Sequence, residues 1–186
     1  QSGNMQTIGF SLYMEMLDEA VTAIREGRIP DFDQTESAHA EVDLKIPALI
    51  PNDYLNDVPL RLQLYKRISS ATSDELLSEI EIEMIDRFGL LPTQVKNLFE
   101  QAKIRLVAES LGIQQITLGP KSGRIEFREK TKVDPMILIS LVQSQPDEYK
   151  LDGATALKII RETVGTEARF GFIYEILDAL KRPPTK

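Results

Sequence analysis

The spacing of apolar residues along the chain follows two periods, and each period predicts a different element. Long stretches have an apolar residue at every third or fourth position, which is the pattern of a helix with one buried face. Strict alternation over 41–46 predicts a half-buried strand, and alternation on both sides of 119–123 and of Asp152-Gly153 predicts two β-hairpins. The predicted helices span 12–28, 58–71, 73–88, 92–111, 135–145 and 166–181.

These elements follow one another without a regular strand, helix, strand repeat. We therefore expect an α+β fold in which a small, mainly antiparallel sheet packs with several helices, preceded by a helical N-terminal appendage. Residues 31–40 contain three acids and almost no apolar side chains, so they are expected to form a solvated linker. The expected organisation is an N-terminal segment 1–30, the acidic linker 31–40 and a domain 41–186.

Several helix ends have recognisable signals. Thr72 and Glu75 have the spacing of a capping box at the start of the helix that begins at Ser73. Gly89 suits a left-handed C-cap at the end of that helix. Pro92 suits the first position of the next helix.

The charge balance of the chain is acidic. There are 22 basic and 29 acidic residues, which gives a formal net charge of -7. A phosphate backbone repels such a chain, so a partner with a basic surface is expected before a nucleic acid. No apolar run approaches the roughly 20 residues of a membrane span, and the N-terminus lacks the pattern of a signal peptide. A soluble, cytoplasmic protein is therefore expected.

Residue types that carry catalysis or bind metals are scarce. The chain has no cysteine, which excludes disulfides, thiolate metal sites and cysteine nucleophiles. The single histidine, His39, lies in the acidic linker and is expected to be solvated. The segment 119–123 lacks the spacing of a phosphate-binding loop, and no serine lies in a nucleophile-elbow sequence. We expect no catalytic residue, no cofactor and no metal in this chain.

The helix 73–88 has a face that suits binding to a basic surface. All six charged residues from Asp74 to Asp86 are negative. At about 100° per residue, four carboxylates fall within about 40° of one line, and an isoleucine lies about 60° from that line. We call these five residues the acidic face: Glu75, Glu79, Ile82, Glu83 and Asp86. Because the helix supplies no counterion over this stretch, we expect the face to bind Arg or Lys of another domain.

Two other interpretations of the acidic face stay open. Runs of charge are most often solvated helix surfaces with no partner. The acidic face could also be neutralised within the chain, by the basic residues of the preceding helix, Arg61, Lys66 and Arg67.

A second charged group surrounds the first hairpin. Five basic residues occur there against the two acids Glu126 and Glu129, and Phe127 is the one aromatic among them. This composition predicts a solvated surface, with nucleic-acid contact as the alternative. The basic residues are Lys121, Arg124, Arg128, Lys130 and Lys132.

Several segments resemble the C-terminal end of the bacterial transcription-repair coupling factors. They are Gln1-Ser2-Gly3, Ile8 to Tyr13, Ile85 to Pro92 and, as a later hairpin of the same family, Tyr149 to Gly153. The resemblance, together with the lack of an initiator Met, implies the terminal portion of a longer protein.

The resemblance also implies a function for that longer protein. It would be an ATP-dependent double-stranded DNA translocase of helicase superfamily 2 that removes stalled RNA polymerase and recruits UvrA for nucleotide-excision repair. ATP and magnesium would bind motor domains upstream of this chain. Residues 1–30 resemble the end of the family's translocation motif.

For residues 41–186 the resemblance implies a terminal regulatory domain. Such a domain docks on the N-terminal UvrB-like module of the same protein, masks the UvrA-binding surface of that module and restrains the motor. The family element Glu-x-x-Asp-Arg-Phe-Gly matches Glu83 to Gly89, so Glu83 and Asp86 are implied to pair with basic residues of the module. A purely structural end-cap of the motor is the remaining alternative.

Overall fold

The computed structural model describes residues 39–182 and, ahead of them, residues 17–18, 20–22 and 24–27. The described residues from 17 to 26 are helical. Residues 31–38 of the predicted linker 31–40 and the tail 183–186 lie outside the described residues. From residue 39 onward the elements are β1 Glu41–Asp43, α1 Val58–Ser70, α2 Asp74–Phe88, α3 Thr93–Leu111, β2 Ile113–Leu118, β3 Ser122–Phe127, α4 Pro135–Ser144, β4 Tyr149–Asp152, β5 Ala156–Ile160 and α5 Thr166–Lys181.

The strands form one five-stranded sheet in the order β1-β2-β3-β5-β4. β1 pairs with β2 in parallel, and every other neighbouring pair is antiparallel. The parallel pair follows from the chain passing through α1, α2 and α3 before it returns as β2. This sheet and its helices confirm the predicted α+β class. Among the described residues, no helix has the length and apolar content that crossing a bilayer demands.

Two clusters of buried side chains hold the fold together. The sheet core contains the inward side chains of the strands, such as Ile116, Ile125 and Leu157, with residues of α3 and α5. The helical core contains residues of α1, α2 and the first half of α3, such as Leu64 and Met84.

Helix α3 contributes to both cores. Its first half buries Val95 and Phe99 in the helical core. Its second half buries Ile104 and Ala108 in the sheet core. The sequence analysis assigned a single buried side to this helix, whereas the structure buries different sides in successive turns.

Strand β1 is shorter than its alternating pattern predicts. It ends at Asp43 because Lys45 adopts a left-handed backbone with a φ of 53°. The Asp43 Oδ1 atom accepts a hydrogen bond from the Lys45 backbone N–H at 3.1 Å, which closes this local turn. Leu44 is nevertheless fully buried, so the predicted inward side of the segment is confirmed.

The second hairpin has a longer turn than the predicted two residues. Asp152 pairs with Ala156, which leaves residues 153–155 as a three-residue turn. Gly153 has a φ of 68°, the left-handed conformation that such a turn needs.

The N-caps of α2 and α3 each lie one residue from their predicted positions, and the C-cap of α2 has a different backbone conformation from the predicted one. The hydroxyl of Ser73, and not that of Thr72, accepts a hydrogen bond from the backbone N–H of Leu76 at 3.3 Å, so Ser73 is the N-cap. Gly89 has a positive φ of 91° but an extended ψ of -171°, so the predicted left-handed C-cap is wrong. Pro92 is the N-cap of α3, and that helix begins at Thr93.

Candidate functional site

Helix α2 places the acidic face on the surface. The opposite side of the helix packs into the helical core through Leu77, Ile80 and Met84, and this fixes which side meets solvent. The side chain of Ile82 is 59% exposed. An exposed isoleucine beside exposed carboxylates is a surface that can bury apolar area and pair charges with one partner.

Glu83 differs from the other acids because it already has two cationic partners. Its Oε2 atom accepts a hydrogen bond from Arg67 of α1 at 2.7 Å, and its Oε1 atom accepts one from Arg87 at 2.9 Å. The expectation of a face without built-in counterions is therefore wrong at this position. The charge of Arg87 lies one residue beyond the all-acidic stretch, and Arg67 comes from the neighbouring helix.

The sequence left open that basic residues of α1 neutralise the acidic face. One of the three basic residues of that helix does so. Arg67 pairs with Glu83, as described. Arg61 instead donates to the side chain of Asn52 at 2.8 Å and to the backbone carbonyl of Leu55 at 3.0 Å. Lys66 pairs with Asp18 of the N-terminal helical residues.

The two guanidinium groups stabilise the charged form of Glu83. Hydrogen bonds from Arg67 and then Arg87 lower the pKa of Glu83 from 4.5 to about 2. The Glu83 side chain is 34% exposed, so solvent screens both pairs. Each such pair is worth up to about 1 kcal/mol.

The lowered pKa predicts a pH-dependent cost for Glu83→Gln. At pH 7 we expect the free energy of unfolding to fall by about 0.5 to 1 kcal/mol, the scale of a screened ion pair. A carboxylate whose pKa is lower in the folded state stabilises the fold above the unfolded pKa of 4.5, and this contribution is lost as the pH falls toward about 2. Urea titrations of both proteins at pH 7, 5, 4 and 3 measure the difference. If the difference in the free energy of unfolding between the two proteins grows as the pH falls, the ion pairs assigned to Glu83 are wrong.

The other acids of the face remain available for a partner. Within the described part of the chain, Glu75, Glu79 and Asp86 are exposed and form no ion pair. The apolar rim is also wider than the sequence analysis expected, because Ile85 is exposed on the Ile82 side and Leu90, just after the helix, is 88% exposed.

The structure does not bring the predicted basic residues of the hairpin together. Lys121 lies in the turn before β3, whereas Arg128 and Lys130 follow the other end of that strand. Six residues of strand separate them, about 20 Å at 3.3 Å per residue. Arg124 pairs with Asp152 at 3.1 Å and with Glu126 at 3.3 Å.

A different basic group lies on the open side of the sheet. In the strand register, Arg124 stands opposite Lys158, and Lys158 stands opposite Lys150. Side chains in such positions are neighbours on one face of a sheet. Sequence reasoning missed this row because it depends on the pairing of β3 with β5, two strands that are far apart in the sequence.

The expectation that His39 is a solvated residue is wrong. Its Nδ1 atom lies 3.0 Å from Oε1 of Glu109, which also accepts hydrogen bonds from the backbone N–H of Ala40 at 3.1 Å and from Arg105 at 2.9 Å. Since a carboxylate only accepts hydrogen bonds, Nδ1 carries the proton here. His39 thus anchors the start of β1 to α3. No group of three or more His, Asp or Glu side chains is placed to hold a metal ion in the described ranges.

The fold and this surface define a class of protein: a mixed-sheet α+β domain with two cores and an exposed acidic helix. A family model described as the TRCF domain matches residues 44–138. That match covers half of the sequence, and the chain belongs to the TRCF domain family.

Named relatives extend the similarity to nearly the whole chain. The transcription-repair-coupling factor of Escherichia coli is 45% identical over 97% of this chain, and that of Haemophilus influenzae is 44% identical over 95%. The chain spans only 16% and 15% of the length of those two relatives.

A solved structure supports the fold. The crystal structure of the C-terminal domain of a transcription-repair coupling factor aligns with a TM-score of 0.58 and 20% sequence identity. The alignment covers 77% of this chain and 94% of that chain.

Proposed function

We propose that this chain is the terminal regulatory domain of a transcription-repair coupling factor and acts by docking, without catalysis of its own. Its acidic face binds a basic surface on the N-terminal UvrB-like module of the same long protein. Docking masks the UvrA-binding surface of that module and restrains an ATP-dependent DNA translocase that removes stalled RNA polymerase. The observation that carries the proposal is a helix face with three carboxylates that form no ion pair within the described residues, next to an exposed isoleucine.

The physical chemistry of the face suits a contact that can open. Exposed ion pairs contribute about 0 to 1 kcal/mol each, so no single carboxylate holds the contact. Burying the exposed part of Ile82 contributes about 1 to 2 kcal/mol. Several such contributions together give a contact that is specific and still reversible when another partner competes for the module.

The proposal is supported by the length of the relatives. Because this chain spans about one sixth of the Escherichia coli protein, the relatives contain other domains on which this one can dock. A net charge of -7 favours a basic partner surface among them.

The test is a charge reversal of two carboxylates of the face, Glu79→Lys with Asp86→Lys, in the full-length protein. Glu83 is left intact because it also pairs within the domain. We expect undocking to be favoured by about 1 to 2 kcal/mol, which is about five- to thirtyfold in the equilibrium. UvrA capture and the rate of ATP hydrolysis without polymerase are both expected to rise.

A matched control separates the acidic face from net charge. Glu129 and Asp147 are exposed, and neither forms an ion pair within the described residues. Replacing both with Lys changes the charge by the same amount at other places, and we expect no change in UvrA capture. If Glu79→Lys with Asp86→Lys leaves both UvrA capture and ATP hydrolysis unchanged, the docking proposal is wrong and the structural end-cap is favoured.

The nucleic-acid alternative has a weaker basis. Of the cations on the open side of the sheet, Arg124 is already paired with two acids. That leaves Lys150 and Lys158 as cations without an ion pair in the register row, as far as the described residues go. Tight binding to phosphates commonly uses many more contacts than two.

A further inference from the structure

The carboxylates of the acidic face differ in their ion pairing before any partner binds. Glu79 and Asp86 are free of ion pairs within the described part of the chain, while Glu83 is bound by Arg67 and Arg87. On the helical wheel, Glu83 lies on the side toward α1 and Ile82 on the opposite side. A partner can therefore reach the Ile82 side directly, whereas the Glu83 side is occupied.

We infer that Arg67 is an internal competitor for the acidic face. In the undocked domain it occupies the Glu83 carboxylate, and a cationic side chain of the docking partner exchanges with it on binding. This inference rests on the proposed function, because it assumes that the acidic face docks on a basic surface. It assigns to Arg67 the role of weakening that contact.

Arg67 and Arg87 are not equivalent in this role. Arg87 lies one turn beyond Glu83 on the same helix, and its guanidinium has a second contact within that helix, 5.0 Å from the ring centroid of Phe88. Arg67 reaches Glu83 from a different helix, and both side chains are accessible to solvent. A partner guanidinium can make the same type of hydrogen bond to Glu83 that Arg67 makes, so exchange is chemically possible without a new kind of contact.

Arg67 also opposes docking after the exchange. Once displaced, its charge remains near the contact and repels a basic partner. The affinity of the wild-type face is therefore lowered twice, by occupation of Glu83 and by repulsion. Both effects require the charge of Arg67, so a neutral side chain at this position removes them.

The test is Arg67→Gln, measured as binding of the 186-residue chain to the N-terminal UvrB-like module of the Escherichia coli relative. We expect binding to tighten by about two- to fivefold, the size of one exposed ion pair. In the full-length protein, the same change is expected to lower UvrA capture, the opposite of the effect of Glu79→Lys with Asp86→Lys. Because Arg67 is exposed, the substitution leaves the fold intact, which a urea titration verifies.

Two further variants isolate the mechanism. Lys158→Gln removes the same charge from the open side of the sheet, and we expect it to leave the affinity unchanged. In a Glu83→Gln background, Arg67→Gln is expected to tighten binding much less. The carboxylate for which Arg67 and the partner compete is then absent. If Arg67→Gln tightens binding by the same factor in that background, the effect is general charge repulsion and not competition for Glu83, and the inference is wrong.

The outcomes distinguish this inference from the proposed function. If Glu79→Lys with Asp86→Lys weakens binding but Arg67→Gln leaves it unchanged or weaker, docking stands and the internal competitor is rejected. If Glu79→Lys with Asp86→Lys has no effect on binding, the docking surface itself is rejected. Tighter binding of Arg67→Gln that disappears with Glu83→Gln supports both.

Discussion

Replacing Arg105 with alanine is expected to lower the free energy of unfolding by about 3 to 5 kcal/mol. Arg105 is 4% exposed and donates hydrogen bonds to the backbone carbonyls of Ile68 at 3.4 Å and Ala71 at 2.8 Å, at the C-terminal end of α1. Helix ends leave carbonyls without partners, so this guanidinium supplies the cap that α1 needs. It also donates to Glu109, which holds the start of β1.

Urea unfolding of the 186-residue chain measures this loss. The matched control is Arg87→Ala, which removes the same side chain where it is 48% exposed and pairs within its own helix. We expect that control to lose at most about 1 kcal/mol. Equal losses for the two arginines would show that the buried hydrogen bonds of Arg105 add nothing to stability.

Arg169→Met is expected to lower the free energy of unfolding by about 3 kcal/mol, because it leaves buried carbonyl oxygens without donors. Methionine keeps much of the apolar stem but has no N–H group. Arg169 is buried in the first turns of α5 and donates to the carbonyls of Leu44 at 3.0 Å, Lys45 at 3.1 Å and Thr163 at 2.8 Å. It thereby fixes the left-handed turn at the end of β1 against the loop that precedes α5.

The control for Arg169 lies at the other end of the same helix. Arg182 is exposed and pairs with Asp178 one turn earlier. Arg182→Met is expected to change stability by less than about 0.5 kcal/mol. Thermal unfolding followed by circular dichroism compares the two, and a loss below about 1 kcal/mol for Arg169→Met would contradict the role of its buried hydrogen bonds.

The two buried arginines show where hydrophobic patterning is informative and where it stops. The apolar period located all five helices from residue 58 onward to within about two residues, because one side of each helix is buried. Arg169 lies in the middle of the apolar stripe of α5, in phase with Ile173, Ile176 and Leu180. A charged residue in phase with these apolar residues is the signal in the sequence that Arg169 is buried.

The two phenylalanines of α5 differ in burial, although both lie against the sheet core. In the structure Phe172 is buried, with the Arg161 guanidinium 4.6 Å from its ring centroid, and Phe170 is only partly buried.

The sequence predicts where the carboxylates of the acidic face lie, but it does not predict which of them form ion pairs within the domain. The positions of its carboxylates follow from the helical period alone. The partner of Glu83 does not, because Arg67 lies sixteen residues earlier on another helix and the contact depends on how α1 packs on α2. The same limit applies to the sheet, where the row of Arg124, Lys158 and Lys150 exists only through strand register.

Helix α3, with side chains in both cores, couples the stability of the two cores. Its 19 residues form a rod about 28 Å long at 1.5 Å per residue. Because its first half packs in the helical core and its second half in the sheet core, loss of packing in one core removes support from the other. We therefore expect the two cores to unfold in one cooperative transition and not one after the other.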